Sequence, residues 1–136
     1  MVDFKSVTPE FYVSAQMQPE DLAAAKSAGI KTVLCNRPDH EHGDDQPTIE
    51  AMQTAAEALG LQFLALPFSG APAPEIVAQQ GALIDSAQKP VLAYCRSGTR
   101  SITAWALSQA GKGQQDAILK SAAGAGYDLS NIAVYL

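Results

Sequence analysis

The residues best suited to covalent chemistry lie in one stretch of this 136-residue chain, Cys95-Arg96-Ser97-Gly98-Thr99-Arg100-Ser101. A short apolar run, Val91-Leu92-Ala93-Tyr94, precedes it, and apolar residues at helical spacing, Ile102 to Leu107, follow. That order predicts a buried strand, a tight polar turn opened by Cys95, and a helix. Such a turn directs successive backbone N–H groups inward as an anion nest, and the positive end of the helix dipole adds to the field. The field favours thiolate over thiol, which makes Cys95 the candidate nucleophile. Gly98 suits a position that needs positive φ or has no room for a Cβ. The guanidinium forks of Arg96 and Arg100 match the oxygens of a phosphate or a sulfur oxyanion. The backbone amides of Arg96, Ser97, Gly98 and Thr99 are the expected substrate-binding donors. Ser101 would stabilise the thiolate when it leaves.

A second polar segment, Asn36-Arg37-Pro38-Asp39-His40-Glu41-His42-Gly43-Asp44-Asp45-Gln46-Pro47, contains two prolines and a glycine and reads as a loop. It leaves the carboxyl end of a predicted parallel strand, so it should emerge on the same sheet edge as Cys95, where open α/β sheets bind ligands. Asp39, His40 and Glu41 are its candidates for acid–base work, and Arg37 a further candidate for binding. His40, His42, Asp44 and Asp45 lack a third ligand at a recognised spacing, so neither a metal nor another cofactor is expected. Cys35 ends the preceding strand. Two roles stay open for it, a resolving thiol that forms a disulfide with Cys95 or a small core residue.

The elements that must hold these loops follow in order. Phe4–Val7 and Phe11–Ser14 predict a hairpin with its turn at Thr8-Pro9-Glu10. A helix starts near Pro19 and ends at Gly29, and Lys31–Cys35 is a buried strand, a spacing that implies a right-handed parallel crossover. Thr48–Leu59 is a second helix and Leu61–Leu66 a further strand. The loop Pro67–Pro74 carries no carboxylate. A helix begins near Pro74-Glu75, and Trp105 on the helix after Cys95 is a core residue. Gly111-Lys112-Gly113 breaks the chain, Gln114–Ala123 is helical, and Asp128 caps a last short helix over Leu129–Ile132.

Composition narrows the function classes. A length of 136 residues and 47% apolar content suit one domain. A net charge of −5 and the lack of a basic stripe argue against a nucleic-acid surface. No run approaches the roughly 18 apolar residues of a membrane helix, and the first residues have no signal-like apolar core, so a cytoplasmic protein with two reduced thiols is expected.

The loop is similar to two families. Protein tyrosine and dual-specificity phosphatases place five residues between cysteine and arginine, whereas four separate Cys95 from Arg100. Rhodanese sulfurtransferases often carry a loop much like Cys95–Ser101. The whole chain resembles the phosphatase-like domain of bacterial beta-lactamase-hydrolase-like proteins. The resemblance rests on Phe11–Gln16, Pro19–Leu22, Asn36-Arg37-Pro38-Asp39-x-Glu41, Gln46-Pro47, Gly60-Leu61, Leu66-Pro67 and the Cys95–Ser101 loop. It implies a dual-specificity phosphatase-like α/β fold, with a mainly parallel sheet of about four to five strands and helices on both faces. Some members of that family are fused to a metallo-hydrolase domain of the persulfide-dioxygenase type.

Three functions follow as alternatives. In the first, a phosphatase, Cys95 attacks phosphorus, Arg100 and the loop amides hold the oxygens, and Asp39 or Glu41 protonates the leaving oxygen of a small oxyanionic or phosphorylated substrate. In the second, Cys95 carries a persulfide and passes sulfur to a thiol or cyanide. In the third, the loop binds an anion without turnover.

Overall fold

The computed structural model describes residues 2–112 and 115–136. Its centre is a five-stranded sheet made of β1 (Lys5–Thr8), β2 (Phe11–Ser14), β3 (Thr32–Cys35), β4 (Gln62–Ala65) and β5 (Val91–Tyr94), in the order β1-β2-β5-β3-β4. The β1–β2 hairpin is antiparallel and every other pairing is parallel. The helices are α1 (Asp21–Ser27), α2 (Ile49–Ala58), α3 (Pro74–Ser86), α4 (Thr99–Ser108) and α5 (Gln115–Gly124), with short 3-10 turns at Gly43–Asp45 and Ser130–Tyr135.

Alternation along the strands sorts the core into two layers. Val91 and Ala93 of β5 face Ile84, Ile102, Trp105 and Ile118 from α3, α4 and α5. Leu92 and Tyr94 turn to the other side, against Leu22 of α1 and Met52 of α2. Both faces of β5 are covered, which is why its sequence is a continuous apolar run rather than an alternating one. Trp105 is a core residue, stacked on Phe11 with ring centroids 5.5 Å apart.

The expected mainly parallel sheet with helices on both faces is present. Element ends shift by a residue or two where caps decide them. The Thr48 hydroxyl accepts the Ala51 N–H and starts α2 one residue later than expected. The break and helix expected around Gly113 and Gln114 reach positions outside the described residues. The last helix is a 3-10 turn over Ser130–Tyr135, and Asp128 accepts the Ser130 N–H just before it. No described helix is long and apolar enough to cross a membrane.

Candidate active site

β5 runs between β2 and β3, and its last carbonyl, Tyr94, accepts the Asn36 N–H at 2.8 Å. Cys95 is thereby delivered to the carboxyl edge of the sheet beside the loop that follows β3. The chain reverses at Gly98, whose φ of +93° lets α4 begin at Thr99. A Cβ on Gly98 would lie 2.1 Å from the Tyr127 hydroxyl. Both physical reasons for a glycine therefore apply at this one position. The Gly98 N–H donates to Cys95 Sγ at 3.2 Å, which places the sulfur under the turn, and Cys95 is buried. Ser97 Oγ donates to Thr99 Oγ1, and the Arg96 side chain is exposed.

Arg100 reaches across to the second loop. Its Nη1 and Nη2 donate to the two oxygens of Glu41 at 2.7 and 2.8 Å, and Nη1 also donates to the Phe68 carbonyl at 2.9 Å. Arg37, almost fully buried, donates from Nε to Glu41 Oε1 at 2.9 Å and from Nη1 to Gln16 Oε1. The hydrogen bonds from Arg100, with those from Arg37 and against partial burial, hold the Glu41 carboxyl down at about 2. Glu41, expected as a proton donor, is thus an ionised acceptor shared by two guanidiniums. In return Glu41 first, and Cys95 after it, push the Arg100 guanidinium further up.

Asp39 and His40 do not join this cluster. Asp39 Oδ1 accepts the Ile49 N–H at 2.8 Å and secures the start of α2. His40 is exposed, with a φ of +63°. The loop takes its shape from Gln46, whose side-chain oxygen accepts the Glu41 and His42 N–H groups while its amide donates to the Pro38 carbonyl.

Ser101 is fully buried, and its hydroxyl has no hydrogen-bond partner among the described residues. The Ser101 carbonyl accepts from Gln80 Nε2. Gln80 also exchanges two amide hydrogen bonds with Asn36, at 2.8 and 3.0 Å, and both side chains are wholly buried. The pair pins the end of β3 to the first turn of α4. Gln80 was not among the expected site residues, although a glutamine in line with Ile76 and Ile84 on the inner face of α3 is a legible signal.

Tyr127 was also missed. It follows α5, donates its hydroxyl hydrogen to the Ser97 carbonyl at 2.8 Å, and packs under the Lys5 ammonium, 4.8 Å from the ring centroid. Cys35 is a free, buried thiol that donates to the Arg37 carbonyl, and burial pushes it up. It packs with Tyr94 in the layer facing α1 and α2.

Residues 3–112 match the family model described as the phosphatase-like domain of beta-lactamase hydrolase-like protein. The chain is 30% identical over 128 residues to the beta-lactamase hydrolase-like protein of Xylella fastidiosa, covering 91% of this chain and 29% of that protein. It thus spans less than a third of the length of that curated relative. A crystal structure from Neisseria meningitidis, provisionally assigned as a phosphatase, is 33% identical. It superposes with a TM-score of 0.86, covering 96% of this chain and 94% of its own. Tk-PTP in its active form shares the fold at 16% identity and a TM-score of 0.71, covering 96% of this chain and 90% of its own.

Proposed function

From the premise that the chain belongs to the phosphatase-like domain family of beta-lactamase hydrolase-like proteins, we propose that it is a cysteine-dependent phosphatase. The reading takes the chain as one catalytic domain acting in the cytoplasm on a small phosphorylated substrate. Cys95 attacks phosphorus in line, so that an S–P bond forms while the P–O bond to the leaving group breaks. Arg100 and the loop amides from Arg96 to Thr99 hold the non-bridging oxygens, where negative charge is concentrated. Arg37 acts through Glu41 to fix the Arg100 fork. The leaving oxygen keeps the electron pair of the broken P–O bond and takes a proton from Asp39, which stands outside the Arg100 cluster and whose Oδ2 has no hydrogen-bond partner among the described residues. Water then cleaves the S–P bond, releasing phosphate and restoring the thiolate, which Ser101 helps to stabilise.

The observation that carries this reading is Arg100. Its guanidinium is oriented by both Glu41 oxygens and the Phe68 carbonyl at the head of the helix that follows Cys95. Release of inorganic phosphate from p-nitrophenyl phosphate, lost in Cys95→Ser, tests it; activity that survives in Cys95→Ser would overturn it.

One observation favours a second reading. Glu41 is ionised and occupied, and the Pro67–Pro74 loop offers no carboxylate, so acid catalysis falls to Asp39 or His40, neither of which joins the Arg100 cluster. Sulfur transfer needs no such acid. Cys95 would attack the outer sulfur of thiosulfate, forming a persulfide as the S–S bond breaks and sulfite leaves with the electron pair. A mass gain of one sulfur, dependent on Cys95 and discharged by cyanide, would support it.

A further inference from the structure

A pocket of about 680 Å³ opens next to the Cys95 loop. Arg100 is one of its lining residues, and its walls include Pro72, Val77 of α3, Leu107 of α4, and Ile132 and Tyr135 of the last 3-10 turn. Among the described residues that line it none is acidic, and Arg100 is the sole cation. The volume falls within the range of pockets that enclose a small organic ligand. A second phosphate on the leaving group would find no second positive group there, only the polar side chains of Thr99, Thr103 and Asn131, so its desolvation would be poorly compensated.

We propose that this pocket is the leaving-group subsite and selects phosphomonoesters whose organic part is uncharged and apolar, about the size of a fused aromatic ring or a medium alkyl chain. The inference rests on the phosphatase reading for the position of the phosphate. Thr99 and Arg100 line this pocket and begin the helix that follows Cys95, so the organic part of an ester held by the loop can extend along that side onto the apolar walls. The 3-10 turn supplies Asn131, Ile132 and Tyr135 to the pocket lining. Tyr135 is 68% exposed, and an apolar ligand would cover part of it. Phe68 and Gly70, before and after Ser69, carry the same loop from the Arg100 hydrogen bond to the pocket rim.

The test is equilibrium binding to Cys95→Ser, comparing 2-naphthyl phosphate with inorganic phosphate, in that background and with Tyr135→Ala or Val77→Glu added. The expected result is a preference for the naphthyl ester of roughly tenfold or more, the yield of burying an apolar group of that size. The added substitutions should bring the ratio of affinities down toward one, with each variant's own phosphate binding as its reference for folding. Equal affinities in the Cys95→Ser background would overturn the proposal, as would a preference that survives both wall substitutions. Failure of the wild-type protein to hydrolyse naphthyl phosphate while the wall-dependent preference persists would instead overturn the phosphatase reading and support the pocket.

Discussion

The Tyr127 hydroxyl occupies the space that a side chain on Gly98 would need. Its oxygen would lie 2.1 Å from a Gly98 Cβ, and it donates to the carbonyl of the preceding residue, Ser97. The turn over Cys95 is therefore braced from outside by a residue 30 positions further along the chain.

Gly98→Ala combines a left-handed backbone, which costs a non-glycine residue about 1–2 kcal/mol, with a steric overlap that must displace Tyr127. We expect activity to fall by roughly a hundredfold or more, because a misplacement of about an ångström at the reacting atoms is enough for that. Tyr127→Phe keeps the ring and removes a single hydrogen bond, so it should lose about 1 kcal/mol of stability and only a few-fold in kcat. Thermal melts and steady-state kinetics on the two variants check both.

Glu41→Gln removes the charge that two arginines share and leaves the buried Arg37 guanidinium poorly paired. A stability loss of about 1–3 kcal/mol is expected near neutral pH. The Glu41 carboxyl titrates at about 2 in the folded protein against an ordinary value of 4.5. A carboxyl lowered in this way stabilises the fold fully above its unfolded value and loses that contribution as the pH falls toward the folded one. The difference in Tm between wild type and Glu41→Gln should thus be constant above about pH 5 and shrink between 4.5 and 2.

If Asp39 supplies the proton, its removal should matter in proportion to the basicity of the leaving group. Asp39→Asn keeps a side-chain oxygen for the Ile49 N–H, so α2 stays capped. With p-nitrophenyl phosphate, whose leaving group departs unaided, kcat should change by less than about threefold. With phenyl phosphate it should drop by roughly a hundredfold. A uniform loss on both esters would assign Asp39 to positioning instead.

Gln80→Leu removes both amide hydrogen bonds to Asn36 and leaves its Oδ1 without a partner in the interior, while its Nδ2 keeps the Leu66 carbonyl. Denaturant titration should show about 1–3 kcal/mol of lost stability, and Asn36→Leu added to it should restore part of that loss, because an apolar pair leaves fewer unpartnered groups.

The strands and their order in the chain were legible because β3 and β5 are short apolar runs bounded by prolines, glycines and charges, and a strand buried on both faces has little other composition available. The Cys95 turn was legible because strand, Gly98 and helix periodicity stand next to one another. What sequence spacing does not carry is which distant side chain meets which. Glu41 looks like a solvated acid within its own loop and becomes an ionised clamp through Arg100, 59 residues away. Gln80 finds Asn36 across 44 positions, and Tyr127 finds Ser97 only once α5 has packed on β1. The apolar pocket draws its walls from three separate segments, none of which is distinctive in isolation.

The most direct measurement is the intact mass of the protein acid-quenched during turnover of p-nitrophenyl phosphate, with Cys95→Ser alongside. We expect a fraction of the wild-type protein to carry one phosphoryl group, mapped to the Cys95 peptide and missing from the variant. A wild-type protein that gains no phosphoryl group, yet takes up one sulfur on Cys95 from thiosulfate, would contradict the phosphatase assignment.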